Sequence, residues 1–283
     1  MLRSPTARVL DEGDEPAVHR LLATDPVAAC VLAGRVELTG TAPVAVGAPL
    51  WGFGSGRSLE AVCLAGANLI PFAVPGAERA AAAAFAELAR RAGRRCSTIV
   101  GPAASVAPLW DLLEPYWGPC RDHRARQPLL AIDGPPAIAP ETRVRPVRTD
   151  ELDILLPAAV AMFTEEIGVS PLRIDGGAGY RARLAELVRA GRSLAWIEGG
   201  QVVFKAEIGA VSRAACQVQG VWVAPERRGT GIGAAGTAAV VEYARSTVAP
   251  VVSLYVNDFN ATARAAYRRV GFREVGEFSS VLF

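Results

Sequence analysis

Apolar positions along the chain fall into short runs punctuated by glycine and proline, with longer stretches between them whose apolar residues recur at helical spacing. Residues 8–10 read as a short strand. Asp11 through Asp14 can cap a helix that starts near Glu15-Pro16 and carries Val18, Leu21 and Leu22 on one side. Residues 28–36 form a second helical stretch. Three apolar runs follow, at 50–53, 60–65 and 68–74, split by glycine-bearing turns, and this spacing predicts an antiparallel meander. An alanine-rich helix is expected from Gly76 to Arg91, then a strand at 97–100, a helix at 105–113 that ends before Pro115, and a strand at 126–133.

Three prolines within residues 134–140 stiffen the chain and prevent ladder pairing, so the boundary is placed there. The expected domains are 1–138 and 139–283. The second half repeats the order of the first. A strand at 142–145 leads to Asp150 as a cap, then to a helix interrupted at Pro157 and continuing to about Glu166, and then to a helix at 180–189. Strands at 193–198 and 201–209 are joined by Gly199-Gly200, a two-residue hairpin turn. Further strands are expected at 216–223, 251–256 and 278–283, with a long helix after Gly233 and another over 261–270. The stretch 97–113 matches 253–269 in layout, as two copies of one fold would. The expected fold class is α/β, two halves, each a mixed and mostly antiparallel sheet flanked by helices.

Composition adds limits. The chain has 283 residues, enough for two full cores, and 30 basic residues against 28 acidic ones give no global pull toward nucleic acid or membrane. No apolar run is long enough to span a bilayer, and the N-terminal residues lack an apolar export segment, so a cytoplasmic protein is expected. The five cysteines have no paired spacing and there are only two histidines, which points to reduced thiols and to no metal.

One stretch states a chemistry. The strand ending Val221-Trp222-Val223 runs through Pro225 and Arg227-Arg228 into Gly229-Thr230-Gly231-Ile232-Gly233-Ala234 and a helix. Glycines let a backbone approach a ligand closely, and a helix start presents unpaired N–H groups, so an anionic phosphate belongs here. Gly231-Ile-Gly-Ala-Ala-Gly236 also spells the dinucleotide fingerprint, with Asp258 after the next strand. Against that, seven residues separate the strand from the first of these glycines, and only about 25 residues remain after Asp258 to complete a doubly wound sheet.

The spacing Arg228-x-x-Gly231-x-Gly233, followed by Asn260-x-x-Ala263-x-x-x-Tyr267-x-x-x-Gly271-Phe272, resembles the GNAT superfamily of acyl-CoA N-acyltransferases over about residues 142–283. The first half is similar to an uncharacterised domain found ahead of some GNAT domains. It lacks the arginine-glycine turn, and it is expected to be a degenerate GNAT-like accessory domain. The resemblance implies that Val221, Trp222 and Val223 hold the pantetheine arm, that Arg228 through Ala234 cradle the pyrophosphate, and that Asn260 bonds the pantetheine chain or the incoming amine. It also implies that Tyr267 protonates the departing thiolate. The competing reading of Tyr267 is a core aromatic with a capped hydroxyl, and that of Asn260 is a helix cap.

An alkylammonium near pKa 10.4 needs a base before it can attack. Glu207 and Glu166 are the candidates, with Glu165 beside the latter; Glu207 alternates with Lys205 and could simply pair with it. No cysteine looks like an acyl carrier. The expected activity is N-acetyl transfer from acetyl-CoA to a primary amine by direct attack in a ternary complex. The alternative is a non-catalytic acyl-CoA sensor or protein-docking module. Acetyl-CoA and an amine are the expected partners, without nucleic acid or membrane, in a monomer or homodimer.

Overall fold

The computed structural model describes residues 6–42, 47–55, 58–173 and 175–283. The first five residues, on which the expectation of no export segment partly rests, lie outside them. Two compact units emerge: residues 1–129, 255–259 and 274–283 in unit 1, and residues 130–254 and 260–273 in unit 2.

Unit 1 begins with strand β1 (Thr6–Val9), a 3-10 turn and helix α1 (Glu15–Leu22). Asp11 accepts from Gly13 N while Asp14 accepts from Asp11 N, a capping box that closes the entry to the helix as its sequence suggested. Helix α2 (Cys30–Thr39) and the meander β2 (Leu50–Ser55), β3 (Ser58–Ala65) and β4 (Asn68–Ala73) follow, each neighbouring pair antiparallel. Helix α3 (Glu78–Ala92) then leads to β5 (Thr98–Pro102), which runs parallel to β4, and to α4 (Ala103–Trp117).

The sheet is covered on both faces. Val18, Leu21, Leu32 and Val36 of α1 and α2 pack with Leu50, Val62 and Phe72, while Phe85, Ala89, Leu109 and Trp110 of α3 and α4 pack with Trp51, Cys63 and Ile99. Helix α4 does not stop before Pro115 as expected. Pro115 sits in its last turn, where it removes one backbone donor, and the helix ends two residues later at Trp117, followed by Gly118 with φ +76°.

Strand β6 (Asp122–Ile132) leaves unit 1 after Leu129 and enters unit 2. The proline-bearing segment that follows is tied into unit 2, where Ala137 N–H donates to Val270 O. Unit 2 then repeats the plan: β7 (Arg145–Pro146), α5 (Leu152–Ile167), α6 (Ala178–Arg189), β8 (Ser193–Glu198), β9 (Gln201–Val211), β10 (Ala215–Val223), α7 (Ile232–Thr247), β11 (Val251–Tyr255) and α8 (Ala261–Val270). Strands β7 to β10 pair antiparallel in sequence, and β11 pairs parallel to β10. Gly199 and Gly200, at φ +57° and +74°, make the tight hairpin between β8 and β9.

Three local expectations fail. The first strand of this half is two residues long and lies later than 142–145. Asp150 does not cap α5: Glu151 holds the N-cap position without a side-chain cap bond, its carboxylate accepting instead from Arg148 N and from both terminal nitrogens of Arg145, while Asp150 faces the Arg148 side chain. Pro157 does not interrupt α5, which is continuous to Ile167.

The last strand, β12 (Arg273–Leu282), pairs antiparallel with β5, from Phe278 opposite Pro102 to Leu282 opposite Thr98. Unit 1 therefore takes a strand from the far end of the chain. The reason is visible in its burial: Val281 packs in the same cluster as Ile99, Leu109 and Trp110.

Candidate functional site

In unit 2 the parallel ladder between β10 and β11 covers only Ala215, Cys216 and Gln217 against Val251, Val252 and Ser253. Beyond Gln217, β10 keeps its antiparallel partner β9 but shows no further pairing to β11. Two register shifts break the β9–β10 ladder, one between Gln217 and Val218 and one between Gln219 and Trp222. Within the second shift Gly220 adopts φ +60°, and a Cβ there would come within 3.1 Å of Lys205 Nζ and 3.0 Å of Met162 Cε. The bulge bends the strand end away from its regular course. Val221, Trp222 and Val223, on this half-buried end, retain backbone groups free of the parallel ladder.

The strand delivers the chain to a 3-10 turn and then to the glycines. Gly229 and Gly231 have φ +77° and +88°, and a Cβ on either would meet nothing within 4 Å, so glycine is required by backbone conformation and not by crowding. Gly231 is the N-cap of α7; no side chain caps that helix, and no acid lies in its first turn. Ile232, Gly233 and Ala234 occupy the first turn, whose N–H groups have no acceptor four residues back. Helix α7 approaches the sheet closely because Gly236 faces the ring of Phe204, where a Cβ would sit 2.6 Å from a ring carbon. Open space, bare donors and the positive end of a 16-residue helix coincide.

Arg228 anchors the turn by donating Nε to Val223 O at 3.0 Å, and its other arm meets Glu165 Oε2 at 2.8 Å. The other oxygen of Glu165 accepts from Trp222 Nε1 at 3.2 Å. Glu165 thus ties the end of α5 to β10 and to the glycine turn. Thr230 donates its hydroxyl to Arg227 O, and Arg227 pairs with Glu198 at 2.9 Å. The next residue on α5, Glu166, reaches the other way: its charge acts on Tyr180 of α6 and Tyr267 of α8.

Tyr267 is buried against Phe272, ring centroids 6.0 Å apart. Burial, reinforced by Glu166, pushes its phenol well above the ordinary value of 10.0, so the proton is held. Tyr180 donates to Ala159 O and Tyr243 to Gly191 O, whereas the Tyr267 hydroxyl has no hydrogen-bond partner among the described residues. Asn260 is the N-cap of α8, with Oδ1 accepting from Ala263 N at 3.0 Å, which leaves its amide NH2 as the remaining donor.

Glu207 and Lys205 do pair. The two side chains lie on the same face of β9, essentially buried, with Nζ and Oε1 2.7 Å apart, yet neither atom completes a well-angled hydrogen bond. Cys216 is wholly buried in β10. Tyr180 carried no signal in the sequence. Packed on Phe163 at 5.4 Å between centroids, it becomes part of this site only because α6 folds onto α5. Among the described residues no group of three His, Cys, Asp or Glu could hold a metal ion, and no helix is long and apolar enough to cross a membrane.

Residues 48–155 match the model of a domain of unknown function, DUF4081, and residues 164–272 match that of the acetyltransferase (GNAT) family. No curated protein sequence matches the chain. Several solved structures share the fold across nearly its whole length. A Drosophila protein is 13% identical, with 99% of each chain covered and a TM-score of 0.67. A GCN5-related N-acetyltransferase from Sphaerobacter thermophilus is 19% identical, covering 99% of this chain and 96% of that one with a TM-score of 0.57. An acetyltransferase of the GNAT family from Colwellia psychrerythraea is 12% identical, with 98% and 99% covered and a TM-score of 0.55. The splayed strands, the uncapped glycine turn and the family match fall on the same segment: residues 164–272 carry the match to the acetyltransferase (GNAT) family, preceded by the DUF4081 match at residues 48–155.

Proposed function

We propose that unit 2 transfers an acetyl group from acetyl-CoA to a primary amine by direct attack in a ternary complex. The observation that carries the reading is the hydroxyl of the buried Tyr267, which keeps its proton and spends it on no partner among the described residues. A tyrosine retained only for packing is expected to cap its hydroxyl, as Tyr180 and Tyr243 do.

Each element has a task. The residues present suit the cosubstrate: Val221, Trp222 and Val223 offer ladder groups to the pantetheine amides, and the turn from Arg228 to Ala234 offers glycine backbone, helix N–H groups and one guanidinium to the pyrophosphate. Asn260 caps its helix and directs its amide NH2 outward as a further donor. Tyr267 donates its proton to the sulfur as the C–S bond breaks, and the proton released by the attacking amine restores the phenol, which is the weaker acid of the two. Bringing an alkylammonium to its neutral form at pH 7 costs about 4–5 kcal/mol. Glu166, which faces both tyrosines electrostatically, is the first candidate to take that proton. Glu207 is the second, through its place beside Lys205 under the strand bulge. Domain 1–138 serves as accessory to a catalytic domain 139–283.

The test pairs binding with turnover. Gly231→Glu puts a strained side chain and a negative charge into the cradle and should abolish acetyl-CoA binding by calorimetry. Tyr267→Phe should leave binding within twofold but lower thiol release with an accepted amine by about 100-fold. Unchanged affinity in the first variant would remove the cofactor assignment. Acetyl-CoA binding without thiol release across a broad amine panel would instead establish the sensor.

A further inference from the structure

Unit 1 contains its own cleft at the place that corresponds in topology to the glycine turn of unit 2. There β5 runs parallel to β4, and the ladder pairs Asn68 with Thr98 and Leu69 with Ile99. Pro71, in mid-strand, has no N–H to extend that ladder. A cavity of about 490 Å3 opens beyond this point, bounded by the end of β4, the β5–α4 junction and β12. Its apolar surface includes Phe72, Val74, Leu129 and Phe278.

The charge is opposite to that of the glycine turn. Three carboxylates line the cavity, Asp25, Glu78 and Glu277, and among the described residues no lysine or arginine does. Where unit 2 leaves helix donors bare, Glu78 seats its own carboxylate on Gly76 N at 2.7 Å, and Pro75 beside it has no donor to offer. Asp25 accepts from Ala28 N, and Glu277 accepts from Arg126, but neither partner brings a cationic group into the lining. A pyrophosphate would meet carboxylates here instead of N–H groups. Ser105, also in the lining, buries a hydroxyl that has no partner.

We propose that this cleft is a second binding site, selective for a small organic cation with an apolar body, such as an amine or quaternary ammonium, and closed to CoA. The aromatic and aliphatic walls take the body, Asp25 and Glu78 attract the charge, and Ser105 supplies a polar contact. The site stands independently of the activity assigned to unit 2.

Calorimetry on the full chain with phenethyltrimethylammonium, which cannot be acylated, tests it against 3-phenylpropionate, an anion of similar size. The cation should bind with one site per chain and the anion at least tenfold more weakly. The isosteric pair Asp25→Asn and Glu78→Gln should weaken the cation at least tenfold. Ala104→Trp, at an exposed position in the lining, should block the cation while leaving acetyl-CoA binding intact. Gly231→Glu should leave cation binding unchanged. No binding to the wild type, equal affinity for the anion, full affinity in both unit 1 variants, or loss in Gly231→Glu would each overturn the proposal. Should the tryptophan variant fail to fold, the carboxylate pair decides alone.

Discussion

Glu165 shows how a single side chain acquires a role that its sequence position does not announce. Adjacent to Glu166 at a helix end, it reads as a solvated acid. Folded, it bridges Trp222 and Arg228 at the mouth of the glycine turn. Both members of the Glu165–Arg228 pair are nearly half exposed, and such pairs contribute about 0.2–1 kcal/mol. A phosphate stabilised by Arg228 and the helix N–H groups together can displace the carboxylate. Glu165→Gln should therefore tighten acetyl-CoA binding about two- to fivefold, read as a lower Kd with the melting temperature unchanged. Weaker binding would show instead that Glu165 is needed to hold Trp222. Tyr267 was legible in sequence by its spacing from Asn260, but the open state of its hydroxyl was not, because hydrogen bonding depends on residues far away in the chain.

At the scale of elements, β9 carries a buried ion pair where a strand normally places apolar groups. Removing one member leaves the other charged and unpartnered in the interior, which costs about 3–5 kcal/mol. Lys205→Met should lower the stability of unit 2 by that order, and adding Glu207→Leu should restore most of it. Activity regained with stability in the double variant would exclude Glu207 as the base; a stable but inactive double variant would support it. The start of α5 provides a pH signature. Arg145 and the Arg148 N–H hold the Glu151 carboxyl down to about 2, from 4.5. A depressed pKa gives stability that is complete above the unfolded value and lost as pH falls from about 4.5 toward 2. The side chain is buried, so the contribution is on the order of 2–3 kcal/mol. Wild-type unit 2 should lose this increment between pH 5 and pH 2.5, whereas Glu151→Gln should lack it throughout, as thermal unfolding across that range would record.

At the scale of the molecule, the repeated element order is the main finding about the fold, and β12 is its exception. Phe278, Val281 and Leu282 are each at most 5% exposed, and β12 pairs with β5 in unit 1. Burying three such side chains contributes about 5–8 kcal/mol, as much as the net stability of many domains. A chain truncated after Arg273 should therefore unfold in unit 1, seen as loss of slow amide exchange in β5 and α4. Faster exchange confined to unit 2 would contradict the assignment of this strand.

The amino-acid sequence by itself determined most helices and strands, the hairpin at Gly199-Gly200, the glycine turn before α7 and Asn260 as the cap of α8. These depend on local rules: period, caps and the backbone freedom of glycine. Its errors were also local, since Pro115 and Pro157 sit within helices that packing sustains, and Asp150 pairs with the Arg148 side chain instead of capping α5. Tertiary structure alone decided which sheet β12 joins, where β10 and β11 part, that Glu165 meets Arg228, and that the first unit keeps a cleft of inverted charge. Each of these depends on groups distant in the chain competing for the same partners or the same space, and no window of sequence contains both competitors.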